Sequence, residues 1–251
     1  MKNQDWHWQP KTPLDNNPLF EWPPQLGRIV AWYASVWLKL SEVLLMLAMA
    51  IISWLYLMPE LAQFQLLGVD VVALMFVRNL SIAIIVAGGL HMFFNVLKKQ
   101  GSELRYDTTE LTNQKHFDFN SQLLDNMFWT LVSGVTLWTA YEVLIIWGMA
   151  NQYAPNLVWS SNEVWFCFLF FAIFMWESLH FYLVHRLLHW PPLYKLVHSL
   201  HHRNISPISW SGISMHPVEH VLYFSSILIH FVVPTHPIHV LFHMLAMTIG
   251  A

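Results

Sequence analysis

The sequence predicts an all-α protein, a polytopic membrane helical bundle with a histidine-rich cap. Three observations carry this: apolar stretches long enough to cross a bilayer, loops that alternate in basic charge, and histidines crowded into one late segment. Of 251 residues, 56% are hydrophobic and 11% charged, less than half the charged share of a soluble domain. Lipid is therefore the expected solvent. Twelve Lys and Arg stand against fifteen Asp and Glu, a net charge of -3, with no basic block to track a phosphate backbone, so no nucleic-acid partner is expected. The single cysteine, Cys167, lies in an apolar run and can form neither an internal disulfide nor a thiolate metal site. The N-terminus has Lys2 but no short apolar stretch with a small-residue cleavage site. Residues 1-28, rich in Pro and Trp as far as Pro24, read as an irregular arm at the membrane surface.

A spanning helix needs ~20 predominantly apolar residues to cross a hydrocarbon core ~30 Å thick. Four stretches qualify: Ile29 to Met58, Val71 to Leu97, Met127 to Ala150 and Val164 to Val184. Trp54, Tyr56, Trp147, Trp159 and Trp165 lie near their ends, as an interfacial aromatic belt would. Two shorter stretches, Val218 to Val233 and Ile238 to Ala251, flank Pro234-Thr235-His236-Pro237 and read as a helical hairpin that returns to the side it left. The domain plan is thus an arm (1-28), a multi-span region (29-160) and a histidine-rich domain (161-251).

Basic residues sort by loop. Lys2, Lys11 and Arg28 precede the first span; Lys98, Lys99, Arg105 and Lys115 follow the second; Arg186, Lys195 and Arg203 follow the fourth. The loops Pro59 to Asp70 and Asn151 to Glu163 hold no Lys or Arg. By the positive-inside rule the N-terminus and the 185-203 region are expected on the cytoplasmic side. Lys39, Glu42, Arg78 and Glu142 fall within or near spans, where charge is costly. Lys39 and Arg78 are expected to snorkel to headgroups, and none of the four is assigned a catalytic role.

Twelve of the fifteen histidines fall between His180 and His243. His185-Arg-Leu-Leu-His189 sets two imidazoles four apart, which a helix stacks on one face within reach of one metal. His198-Ser-Leu-His201-His202 adds three more. A third group, His216-Pro-Val-Glu219-His220, follows a polar, bend-prone segment and either supplies ligands or braces them. Five imidazoles exceed the three or four protein ligands of one zinc, which argues for two metals. No His-Glu-x-x-His is present, against a zinc peptidase of that kind. Carboxylate-bridged di-iron proteins use paired Glu-x-x-His units, and only Glu177-Ser-Leu-His180 is comparable here, so an all-histidine or nearly all-histidine pair fits better. His7 and His91 read as surface or interfacial residues. His230, His236, His239 and His243 read as structural, bonding backbone groups freed by the hairpin prolines.

The ordered run His185-Arg-Leu-Leu-His189, Leu193-Tyr194-Lys195, His198-x-x-His201-His202 and His216-Pro-Val-Glu219 closely resembles the fatty acid hydroxylase/sterol desaturase superfamily over about residues 165-251. The resemblance implies a membrane-bound oxidoreductase. Its two iron ions would be held by histidines at the cytoplasmic face, O2 would be the co-substrate, an external carrier of cytochrome b5 or ferredoxin type the electron donor, and a fatty-acyl or sterol-like lipid the substrate, hydroxylated or desaturated. Carried over, His185, His189, His198, His201 and His202 would be metal ligands, and His216 matches a recurrent His-Pro position that is a ligand in some members. Glu177 and His180 would orient the ligand imidazoles through their free N-H groups. Family members carry a further His-x-x-His-His box downstream. With Ala251 inside an apolar run, the expectation is a fragment lacking that box, unless His236, His239 or His243 substitutes. The alternative from another class is a membrane haem protein that holds its cofactor between paired histidines and carries electrons.

Overall fold

A computed structural model describes Pro18 and residues 21-39, 41-99 and 115-250. Most of the expected N-terminal arm, including Lys2 and Lys11, and Arg105 of the second basic loop lie outside the described residues. The regular elements of the described residues are all helices, with no strand. The elements in order are α1 (Leu26–Lys39), α2 (Ser41–Tyr56), a 3-10 turn (Leu61–Gln65), α3 (Val69–Val96), α4 (Gln122–Ala150) and α5 (Glu163–Leu188). There follow a short helix over residues 191-202, here α6, then α7 (Pro217–Phe224) continued by a 3-10 stretch (Ser225–Phe231), and α8 (Pro237–Ile249). Among the described residues three helices, α3, α4 and α5, are long and apolar enough to cross a membrane.

Of the four expected spans, the first, Ile29 to Met58, is described as α1 and α2 on either side of residue 40, which lies outside the described residues. One face of α2 lies along α8, and Leu44, Leu45, Ile52 and Leu55 face outward. α8 is apolar nearly all round and buried along almost its whole length, as a helix inside a bundle must be. Trp138, Ile145 and Ile146 of α4 and Phe224 and Ile227 of the hairpin complete the core. By contrast α5 turns Val164, Phe168, Phe171, Met175 and Leu179 outward. Spaced three or four apart, they form an apolar stripe with nothing packed on it, the face a spanning helix offers to lipid.

Sequence chemistry sets the helix ends. Asn162 caps α5, its Oδ1 accepting from Trp165 N at 2.9 Å, and Trp190-Pro191-Pro192 stops it. Pro217 and Pro237 each occupy the first turn of their helices, where a missing N-H costs nothing. His216 and His236 are the caps before them, each accepting through Nδ1 from the backbone two residues on at 3.2 Å. The hairpin crosses the whole bundle. Its tip pairs with the loop after α4, Leu157 N donating to Thr235 O at 2.9 Å, and that loop meets the 57-68 connection through Gln65 and Asn151.

Arg78 does not snorkel. It is buried in the bundle and ion-paired with Glu142; Asn79 bridges the pair, accepting from Arg78 and donating to Glu142 Oε2 at 2.9 Å and Thr139 Oγ1 at 3.1 Å. A charge within a span is tolerated when it meets its counter-charge inside the protein.

Candidate metal centre

The last turn of α5 carries His185, with His189 as its cap, and α6 carries His198, His201 and His202. The Trp190-Pro191-Pro192 break folds α6 back so that its histidines face those of α5. His185, His189, His198 and His202 then each present one ring nitrogen, all within 4.8 Å of one another. Nε2 of His185 and His189 stand 3.1 Å apart, and Nε2 of His198 and His202 3.0 Å apart. Two nitrogens each about 2.1 Å from one ion have this separation when they subtend roughly a right angle. The donor set fits a metal ion.

The three imidazoles of α6 are in the charge state that binds metal. Burial, with help from His189, pushes His198 down to about 4; burial likewise lowers His201 and His202 below the usual histidine range. These imidazoles are neutral at pH 7, the form that donates a lone pair. His198 is also oriented: its Nδ1 donates to Glu219 Oε1 at 2.7 Å, which fixes the tautomer and aims the Nε2 lone pair at the cluster.

Two residues of the predicted set stand apart from the four. His201 is packed beside His198, ring centroids 5.8 Å apart, and its Nδ1 is buried without a partner. Oε2 of Glu219 is likewise buried and unpaired, and both residues line one cleft of about 10 Å³ with His185. His216 spends its Nδ1 capping α7 and stacks on Trp129 at 6.4 Å.

The bracing residues expected from sequence are corrected. His180 bonds Ser225 Oγ at 3.0 Å, and Glu177 lines a cavity; neither is hydrogen-bonded to a clustered imidazole. The brace is Glu219, which the sequence marked only as part of a third group that supplies or braces ligands. Spacing shows which residues share a helix face, but not that α7 returns its first turn beneath α6. The hairpin histidines divide. His236 and His239 bond backbone amides at the proline turn as expected, and His239 also reaches Phe166 O at 2.9 Å. His230 and His243 instead form a buried line with side chains, Thr235–His230–His243–Ser226, with links of 2.9, 3.1 and 3.1 Å.

Beside the cluster lies a cavity of about 850 Å³. His201 and His202 stand at its wall, and Met46, Phe174, Phe181 and Ala246 contribute apolar surface. A volume of this order, mostly apolar with a few polar groups, suits a large hydrophobic ligand.

The family model described as fatty acid hydroxylase matches residues 169-251. The chain is 46% identical over 84 residues, 33% of its length and 23% of the relative's, to fatty acid hydroxylase domain-containing protein 2 of Macaca fascicularis. It is 30% identical over 141 residues, 53% of its length and 40% of the relative's, to the Delta(7)-sterol 5(6)-desaturase erg3C of Aspergillus fumigatus. It is 28% identical over 83 residues, 33% of its length and 26% of the relative's, to the methylsterol monooxygenase erg25B of the same fungus. In each case the chain spans less than half of the relative's length. No solved structure gives a significant match. The matched segment contains the four converging histidines and Glu219, and over it the chain is similar to the fatty acid hydroxylase family.

Proposed function

We propose that this chain carries the metal-binding core of a membrane-bound, O2-dependent lipid oxidoreductase that hydroxylates or desaturates a fatty-acyl or sterol-like substrate. The observation that carries the reading is the convergence of His185, His189, His198 and His202 beside an apolar cavity of about 850 Å³. The relatives named above, a hydroxylase-domain protein, a desaturase and a monooxygenase, support the same chemistry.

Iron is the proposed metal, with two ions in the complete site. Bound iron would supply O2 activation and the oxidising power to break an unactivated C-H bond. The four imidazoles are a donor set for one ion. His201, with a buried nitrogen lacking a partner, is the further donor this chain offers toward a second. Glu219 holds His198 in the binding tautomer, and the cavity walls, apolar over most of their surface, would take the hydrocarbon part of the substrate. Electrons would come from an external carrier of cytochrome b5 or ferredoxin type. The side is proposed to be cytoplasmic, because Lys195 and Arg203 lie at the histidine end of the molecule while the opposite loops lack basic residues. A haem is disfavoured: it needs imidazoles on opposite faces of a macrocycle, and the four rings lie within 5.9 Å of one another with no room for one.

The test is metal analysis joined to lipid profiling. Protein purified in detergent should contain iron and lack an intense Soret band; His198→Ala and His202→Ala should lose the iron, and His91→Ala should keep it. Cells expressing the gene should gain an oxidised lipid that cells expressing His202→Ala do not. Full iron retention in both cluster variants, or a Soret band, would refute the assignment.

A further inference from the structure

α4 begins on a polar stripe. Gln122, Asp125, Asn126, Thr130 and Ser133 recur at helical spacing and are all buried, in a helix long and apolar enough to span. Each reaches the segment that links His202 to His220. Gln122 donates to Ser206 O at 2.8 Å, Asn126 to Ser211 Oγ at 2.9 Å, and Thr130 to Trp210 O at 3.0 Å, while Ser133 meets His220 Nδ1 at 2.9 Å. These are neutral contacts. The charged one is Asp125, both of whose oxygens accept from Nη2 of Arg203 at 2.6 and 2.7 Å.

Arg203 directly follows His202. Its guanidinium also donates to Asp118 Oδ2 at 2.9 Å and lies over the Phe117 ring, 5.5 Å from the centroid. The two carboxylates differ in what they can fix. Asp118 is half exposed and Asp125 fully buried, so solvent screens the first pair and not the second. A buried ion pair contributes little net stability against an apolar replacement, yet breaking one partner is costly, and such pairs are suited to fixing register. With Glu219 holding His198 from one side, Arg203 holds the other end of the same short helix.

We propose that Asp125 is a positioning residue for the metal centre, acting through Arg203 to fix the turn that carries His198, His201 and His202. This rests on the metal-binding reading above. Asp125 lies outside residues 169-251, the segment matched by the family model, so the multi-span region would contribute to the site's geometry as well as to its membrane anchorage.

The experiment uses the whole chain in detergent, with Co2+ as a visible probe of the histidine site and hydrogen exchange on the metal-free protein. In Asp125→Asn, helix content should hold, Co2+ affinity should fall ten- to a hundred-fold, as expected on losing a group that orients ligands, and exchange across residues 197-204 should rise. Asp125→Glu should recover part of the affinity. Thr130→Val, on the same stripe but away from Arg203, should leave Co2+ binding unchanged. Should Asp125→Asn fail to insert, Arg203→Lys, which keeps the charge and loses the planar fork, carries the same comparison. Unaltered affinity or unaltered exchange in these variants would overturn the proposal. A wild-type chain that takes no Co2+ would instead sink the metal reading, while the exchange comparison would still report whether Asp125 holds the turn.

Discussion

An imidazole that can rotate or change tautomer presents its lone pair only part of the time, so one that is to bind a metal is best held through its second nitrogen. Glu219 holds His198 in this way at 2.7 Å. Glu219→Gln keeps the size and replaces one carboxylate oxygen by an amide, so His198 loses its fixed acceptor; metal affinity should drop about ten- to a hundred-fold, measured by Co2+ titration. Glu177→Gln, which alters the cavity wall and no clustered imidazole, should leave that affinity within about twofold. Equal losses in the two variants would mean that the carboxylates act through general electrostatics. The converging histidines were legible because four-residue spacing on a helix is a statement about one face. The brace was not, since Glu219 lies 21 residues from His198 on another element and Glu177, equally far on the N-terminal side, fits the same pattern on paper. Arg78 teaches the same point. Its distance from the span end suggested snorkelling, yet a carboxylate 64 residues on lies beside it. Glu142→Ala would leave the guanidinium buried and unpaired, at a cost of about 3-5 kcal/mol, and Arg78→Met with Glu142→Leu should recover most of it. Thermal unfolding in detergent reads both, and a single variant as stable as wild type would contradict the buried pair.

At the scale of elements, spans and hairpin come from different information. Hydropathy located α3, α4 and α5 closely because each must bury its backbone bonds in one unbroken helix. The stretch from Ile29 to Met58 is described as α1 and α2 on either side of residue 40; α2 packs one face along α8 and turns Leu44, Leu45, Ile52 and Leu55 outward. The hairpin's two apolar stretches begin where its helices do, just after Pro217 and Pro237, while its seating depends on contacts with a remote loop. Close packing makes those contacts testable. At Gly148, on the face of α4 that meets the hairpin, an added Cβ would come 2.6 Å from Phe231 Cε1. Small residues are what let helices in membranes approach this closely. Gly148→Ala should force the ring aside and destabilise by about 1-3 kcal/mol. Gly89→Ala, on α3 with nothing within 4 Å of the added carbon, should stabilise by about 0.5-1 kcal/mol through helix propensity. Parallel unfolding curves for the pair decide the matter: opposite signs are expected, and two shifts of the same sign would show that the hairpin is not seated against α4.

For the molecule as a whole, the question is how its two ends are assigned to the two sides of a membrane. One end gathers the histidine cluster, Lys195, Arg203 and the start of α4; the other gathers the 57-68 and 151-162 connections, joined through Gln65 and Asn151. Basic residues were counted loop by loop in the sequence, and the fold sets Lys195 and Arg203 at the end that holds the histidine cluster. Since loops rich in Lys and Arg are retained on the cytoplasmic side, the histidine end is expected to face the cytoplasm. Ser199 and Asn156 are exposed at opposite ends, and the native Cys167 lies between them on the outward face of α5. With Cys167 first replaced by Ser, a cysteine at position 199 should react with a membrane-impermeant maleimide only after the cytoplasmic face is opened, and one at position 156 should react from the outer or lumenal side of intact cells or vesicles. Reversed labelling would invert the orientation and place the metal site away from cytoplasmic reductants. Labelling of both from one side would mean that the tip of the hairpin and the metal cluster do not lie across a bilayer from each other, and that α4 and α5, despite their length, do not both span.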